Sequence, residues 1–101
     1  MKLSLDARYE KDPNVVSRGI AGEQILVPVR KKAADMAAVY VLNEVGARIW
    51  ELVDGQRSLA DISTVLLQEY VAQPERIESD VVEIVVQLEE LGMLRTVGHA
   101  M

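Results

Sequence analysis

Around residues 39–44 the apolar pattern changes period from two to about 3.6, and this change limits the fold more than any other feature of the chain. Tyr40-Val41-Leu42 is extended in type, Asn43 is a favoured helix N-cap, and Asp54-Gly55 is a stop signal. A strand therefore runs straight into a helix of about residues 44–54, which holds the only Trp, Trp50. In that helix Val45, Ile49, Leu52 and Val53 share one apolar face. Gly46, one turn in, weakens the helix and points to close approach by another backbone. Strand patterns precede this junction and helical patterns follow it.

Upstream, Val15-Val16-Ser17-Arg18-Gly19-Ile20 and Ile25-Leu26-Val27-Pro28-Val29 are β-type runs. Ala21-Gly22-Glu23-Gln24 separates them as a hairpin, with Gly22 supplying the turn. Pro28 lacks an N–H donor, so the second run has an unpaired side there or lies near its strand end. Arg30-Lys31-Lys32 and the alanine-rich residues 33–38 show no clear period, and a third strand begins near Val39. Residues 1–14 are polar and contain the turn sequence Asp12-Pro13-Asn14, which predicts a loosely held N-terminal arm ahead of a domain spanning residues 15–97.

Downstream, Ser58-Leu59-Ala60-Asp61 has the form of a capping box and opens a second helix to about Val71. Its core stripe is Leu59, Ile62, Leu66 and Tyr70, flanked by Val65 and Leu67. Pro74 suits the first turn of a third helix that Gly92 ends. At about 100° per residue, Ile77, Val81, Ile84, Val85, Leu88 and Leu91 form its core stripe. Val82 and Val86 lie off the centre of that stripe, near Ser79 and Glu89. Either a neighbouring element buries them or they wall a groove.

The chain has 101 residues, which fits one domain with little surplus for a deep enclosed cleft. It has no Cys, so disulfides and thiolate metal sites are excluded, and its one His, His99, lies in a terminal Gly98-His99-Ala100-Met101 tail. The usual nucleophile–base pairs therefore cannot be assembled, no phosphate-binding glycine loop occurs, and no enzyme, cofactor or metal site is expected. No apolar run resembles a signal peptide or approaches the roughly 18 residues of a membrane span, so a cytoplasmic protein is expected.

Charge is unevenly placed. Residues 1–43 hold seven Lys/Arg against five Asp/Glu, whereas residues 44–101 hold four Arg against eleven acids, a net −7. Three helices beside a small sheet invite a winged-helix DNA-binding reading, with a transcription regulator or an oligomeric scaffold as the alternative function. Yet residues 74–91 carry six acids against Arg76 alone, and phosphate would be repelled by such a recognition helix, so no nucleic acid is expected. A small sheet with an open edge can instead accept an extended peptide as an added strand. The same edge could pair two chains into a homodimer.

The run Leu42-Asn43-Glu44-x-Gly46-x-x-Ile49-Trp50-x-Leu52-x-Asp54-Gly55 is followed by Ser58-Leu59-x-Asp61-Ile62 and by Ile77-x-x-Asp80-Val81. With Leu88 and Leu91-Gly92-Met93-Leu94, this pattern resembles the PqqD-like family. These are small precursor-recognition proteins of pyrroloquinoline quinone biosynthesis and related peptide-modifying pathways. The resemblance covers about residues 15–95. It implies an α+β, winged-helix-like fold in which a three-stranded antiparallel sheet packs on a three-helix bundle. It also implies binding of a precursor leader peptide as a strand added to the third strand and lying along the third helix. The bound precursor would be presented to a maturation enzyme, a radical SAM enzyme or a leader peptidase. Carried over by position, the peptide-binding residues would be Val39, Tyr40, Val41 and Leu42 on the strand, with Asp80, Val82, Val85, Val86 and Glu89 on the helix.

Overall fold

A computed structural model describes residues 5–21, 23–28 and 40–97 of the chain. The element order is β1 (Tyr9–Lys11), β2 (Val15–Ile20), β3 (Glu23–Pro28), β4 (Tyr40–Leu42), α1 (Glu44–Leu52), α2 (Leu59–Glu69), α3 (Pro74–Glu90) and β5 (Leu94–Thr96). β2, β3 and β4 form an antiparallel sheet in that order, with Ser17 opposite Leu26 and Leu26 opposite Tyr40. The expected three-stranded sheet and three helices are thus present. The β2–β3 hairpin closes through Ala21, whose φ of 52° is left-handed, while Gly22 lies outside the described residues.

Local chemistry sets the helix ends. The Asn43 side chain accepts from the Gly46 N–H at 2.9 Å, which starts α1 one residue after β4 stops. α1 ends at Leu52, two residues sooner than its sequence suggests. The Asp54 Oδ1 accepts from the Gln56 and Arg57 N–H groups, and Gly55 takes a φ of 81°, so this carboxylate organises a turn rather than a last helical residue. The capping box of α2 is complete: Ser58 Oγ accepts from the Asp61 N–H, and Asp61 Oδ2 accepts from the Ser58 N–H. Pro74 opens α3, and Gly92, at φ 79°, follows its end.

The core lies between the inner face of the sheet and the three helices. Leu26 and Leu42 enter it from the sheet, Ile49 and Trp50 from α1, and Leu66 and Leu88 from α2 and α3. Leu91, placed by periodicity in the α3 stripe, is instead the C-cap residue and 44% exposed, because the helix ends before it can turn inward. Gly46 is buried, but its close neighbour is a side chain and not another backbone: a Cβ there would stand 3.1 Å from Leu42 Cδ2.

The N-terminal segment departs from expectation. Residues 5–12 are not a loose arm, because their backbone is hydrogen-bonded to β5 and to residues 55–60. β1 pairs antiparallel with β5, Tyr9 opposite Thr96 and Lys11 opposite Leu94. The Gly55, Leu59 and Ala60 N–H groups donate to the carbonyls of Tyr9, Ala7 and Leu5, and the Asp12 N–H donates to the carbonyl of Met93. Tyr9 is 1% exposed and joins the core, while Lys11 Nζ sits 5.2 Å from the centroid of the Trp50 ring. Asp6 and Arg8 are exposed; one buried aromatic, a set of main-chain hydrogen bonds and the Glu10–Arg95 ion pair at 2.7 Å hold the segment. Among the described residues no helix is long and apolar enough to cross a membrane.

Candidate functional site

β4 is the last strand of its sheet. One of its edges pairs with β3, and no strand pairs with the other among the described residues. Its side chains alternate. Tyr40 and Leu42 point to the helical side and Val41, 52% exposed, points away from it. Leu42 is 3% exposed and packs over Gly46, so only its backbone is available to a ligand. Tyr40 is half-buried, and its hydroxyl donates to Gln87 Oε1 on α3. This one hydrogen bond spans from the edge strand to the third helix and fixes which flank of α3 borders the strand. Val39 lies outside the described residues.

The flank follows from helix geometry. Measured around the α3 axis from Gln87, Asp80 lies about 20° away, Glu83 and Leu91 about 40° and Ile84 about 60°. Val86 lies about 100° away, Val82 about 140° and Glu89 about 160°. The structure therefore sets Tyr40 beside the Gln87 row of α3. The half-buried Val86 lies between, about 60° from Glu83, and Val82 and Glu89 lie on the far flank. There Val82 is half-buried against the core, and Glu89 Oε1 accepts a 3.3 Å hydrogen bond from the Tyr9 hydroxyl. Val85 is fully buried, so it is a core residue and not a groove wall. The sequence stripe already contained Val85 at its edge; what sequence could not say is which flank of α3 meets β4. Ile84, Gln87 and Leu91 form the row of α3 nearest Tyr40, a row that the sequence does not single out for binding. The i, i+3, i+7 spacing of Ile84, Gln87 and Leu91 was visible, but without the Tyr40 contact nothing selected that row.

The resulting cleft has an open strand edge on one side and a mixed wall on the other. Leu91 and the half-buried Ile84 supply apolar surface, Gln87 a neutral polar group, and Asp80 and Glu83 negative charge. Among the described residues Asp80 is matched only by Arg76 at 3.6 Å, with side chains 35% and 75% exposed, a pair that water screens. α3 carries no base in its last turn, so its carbonyl end and its acids both favour a cationic or N–H-rich ligand.

Two other features lie apart from this cleft. A depression of about 450 Å³ at the hairpin end is lined by Ile20, Glu23, Gln24, Glu44, Arg48 and Tyr70 and contains no residue of β4 or α3. Its Arg48 is already held by Glu69 at 2.7 Å and Glu51 at 3.1 Å. Burial, reinforced by the neighbouring Glu89, pushes the Tyr9 hydroxyl up to about 12. Among the described residues no group of three His, Asp or Glu side chains is placed to hold a metal ion.

Comparison with known proteins fits this architecture. The family model described as coenzyme PQQ synthesis protein D (PqqD) matches residues 23–94. No curated protein matches the chain. One similar solved structure is described as TbiB1 in complex with the TbiA(beta) leader peptide. It has 24% identity and a TM-score of 0.73, covering 91% of this chain and 99% of that one. Another is described as lasso peptide synthetase B1 complexed with the leader peptide. It has 24% identity and a TM-score of 0.73 over 88% of this chain and 99% of its own. At this identity the likeness establishes a shared fold along nearly the whole of each chain.

Proposed function

The chain belongs to the PqqD family, and from that premise we propose that it is a non-catalytic domain that binds the leader segment of a ribosomally synthesised precursor peptide. The leader adds as a strand to the free edge of β4 and lies along the Asp80–Leu91 flank of α3. The observation that carries this reading is the open β4 edge set beside α3 by the Tyr40–Gln87 hydrogen bond. Main-chain hydrogen bonds to Tyr40, Val41 and Leu42 supply affinity that is indifferent to sequence. Alternate leader side chains enter the cleft, where Ile84 and Leu91 select apolar groups and Asp80 and Glu83 select basic ones. The two similar structures, described as complexes with leader peptides, support the assignment of ligand class. In this reading the bound precursor is presented to a separate maturation enzyme, a radical SAM enzyme or a leader peptidase.

The test is calorimetric titration of the full chain with the leader of the precursor encoded beside its gene. Saturable one-to-one heat is expected, and its absence at millimolar peptide overturns the proposal. Leu91→Asp is expected to weaken binding at least tenfold while Glu89→Gln, on the far flank, leaves it within about twofold. The reverse ranking would place the groove on the other flank of α3.

A further inference from the structure

The outward face of the β2-β3-β4 sheet is apolar where a solvated sheet face is ordinarily polar. Val16 (49% exposed), Ile20 (52%), Val27 (37%) and Val41 (52%) account for four of the six large exposed hydrophobic residues among those described. The register places all four on one face, together with the half-buried Ile25. Two charges share it, Arg18 on β2 and Glu23 on β3, and neither has an ion-pair partner among the described residues. This face is the reverse of the one that carries Leu26, Tyr40 and Leu42, and it presents a surface distinct from the β4 edge.

The arrangement selects its occupant. Arg18, Ile25 and Val41 are cross-strand neighbours in one row, with Ile25 in the middle. Along β3, Val27 and Glu23 stand two residues to either side of Ile25, about 7 Å away, while neighbouring strands are about 5 Å apart. Sheets pack face to face either nearly aligned or nearly orthogonal. An aligned two-fold pair about Ile25 brings like charges together. With the axis along the strands Glu23 meets Glu23 of the partner subunit, and with the axis across them Arg18 meets the partner's Arg18. An orthogonal pair, with its two-fold on the diagonal, does the opposite. Arg18 then faces the partner's Glu23, Glu23 faces the partner's Arg18, Val27 faces the partner's Val41, and Ile25 and Ile20 each meet their own copies. The face is self-complementary in that one geometry, as a two-fold interface requires.

We propose that this face is the self-association surface of the chain, taken up by a second copy packed orthogonally through Ile25. The acidic helical layers then lie on the two outsides of the dimer, away from each other. The β4 edges stay open, because sheet faces and not sheet edges are covered. Three strands of at most six residues present roughly 14 by 20 Å, well under the roughly 800 Å² per partner of a standard stable interface. The dimer is therefore weak, and two leader sites are joined only where the protein is concentrated.

Sedimentation velocity of the full chain from 10 µM to 1 mM tests this. The expected result is a concentration-dependent rise from 11.2 kDa toward twice that mass. Val27→Lys and Arg18→Glu should each raise the dissociation constant at least tenfold, and the double exchange Arg18→Glu with Glu23→Arg should restore it to within about threefold of the parent. These positions are solvent-exposed, and thermal unfolding followed by circular dichroism confirms that each variant is folded. A chain that stays monomeric at 1 mM overturns the proposal. So does a dimer indifferent to Arg18→Glu, or a double exchange that fails to restore association.

Discussion

Tyr9→Ala measures how far the N-terminal strand holds the domain together. The ring is 1% exposed and lies within the core, its hydroxyl 3.3 Å from Glu89 Oε1. Truncating a buried aromatic to Ala costs about 3–5 kcal/mol, combining lost transfer energy with the cavity left behind. A domain of this size is stable by about 5–15 kcal/mol, so the variant loses on the order of a third or more of the total. In urea unfolding, with a slope of about 1.5 kcal/mol per molar, the midpoint falls by about 2–3 M. Tyr9→Phe keeps the ring and removes only the partly buried hydrogen bond, so it is expected to cost about 1 kcal/mol. Should Tyr9→Ala unfold within about 0.5 kcal/mol of the parent, β1 is the loose arm its polarity suggests. The β1–β5 pairing would then contribute nothing to the fold.

The same residue sets an alkaline limit. Its hydroxyl is pushed up to about 12 from the ordinary tyrosine value of 10.0, so the folded state keeps a proton that the unfolded chain loses. Stability from this group is full below pH 10 and disappears as pH rises to 12, by about 2–3 kcal/mol. Urea midpoints of the parent should fall over that range relative to Tyr9→Phe, and parallel curves would contradict the assignment. Ser58→Ala removes the arm of the α2 capping box in which Ser58 Oγ accepts from the Asp61 N–H, leaves the backbone arm to Asp61 Oδ2 in place, and is expected to cost about 1 kcal/mol in the same assay. Gly46→Ala sets a methyl 3.1 Å from Leu42 Cδ2. The overpacking, about 1–3 kcal/mol, outweighs the roughly 1 kcal/mol gained in helix propensity, so a net loss is expected. A stabilised Gly46→Ala would show that Leu42 yields freely and that β4 is not pinned to α1.

The junction of β4 and α1 was legible in sequence because its signals are local: an extended triplet, an Asn cap and a change of period. The α2 capping box and the Pro74 and Gly92 ends of α3 were legible for the same reason. Leu91 was misplaced because periodicity does not report where a helix stops turning. β1 and β5 were hidden because each is three residues long, and their pairing joins Tyr9 to Thr96, nearly the whole chain apart. The candidate site was half visible. Tyr40 to Leu42 could be named from the strand itself. The partner row on α3 depends on the rotation of that helix about its axis, which one side-chain contact, Tyr40 to Gln87, decides.

The most direct test of leader docking at this edge is to map backbone amide chemical shifts of the full chain during titration with the leader. Leader bound as an added strand should shift Tyr40, Val41 and Leu42 most, with Ile84, Gln87 and Leu91 next, and should slow amide exchange in β4. Shifts centred on Val82, Val86 and Glu89, with β4 unchanged, would contradict the account.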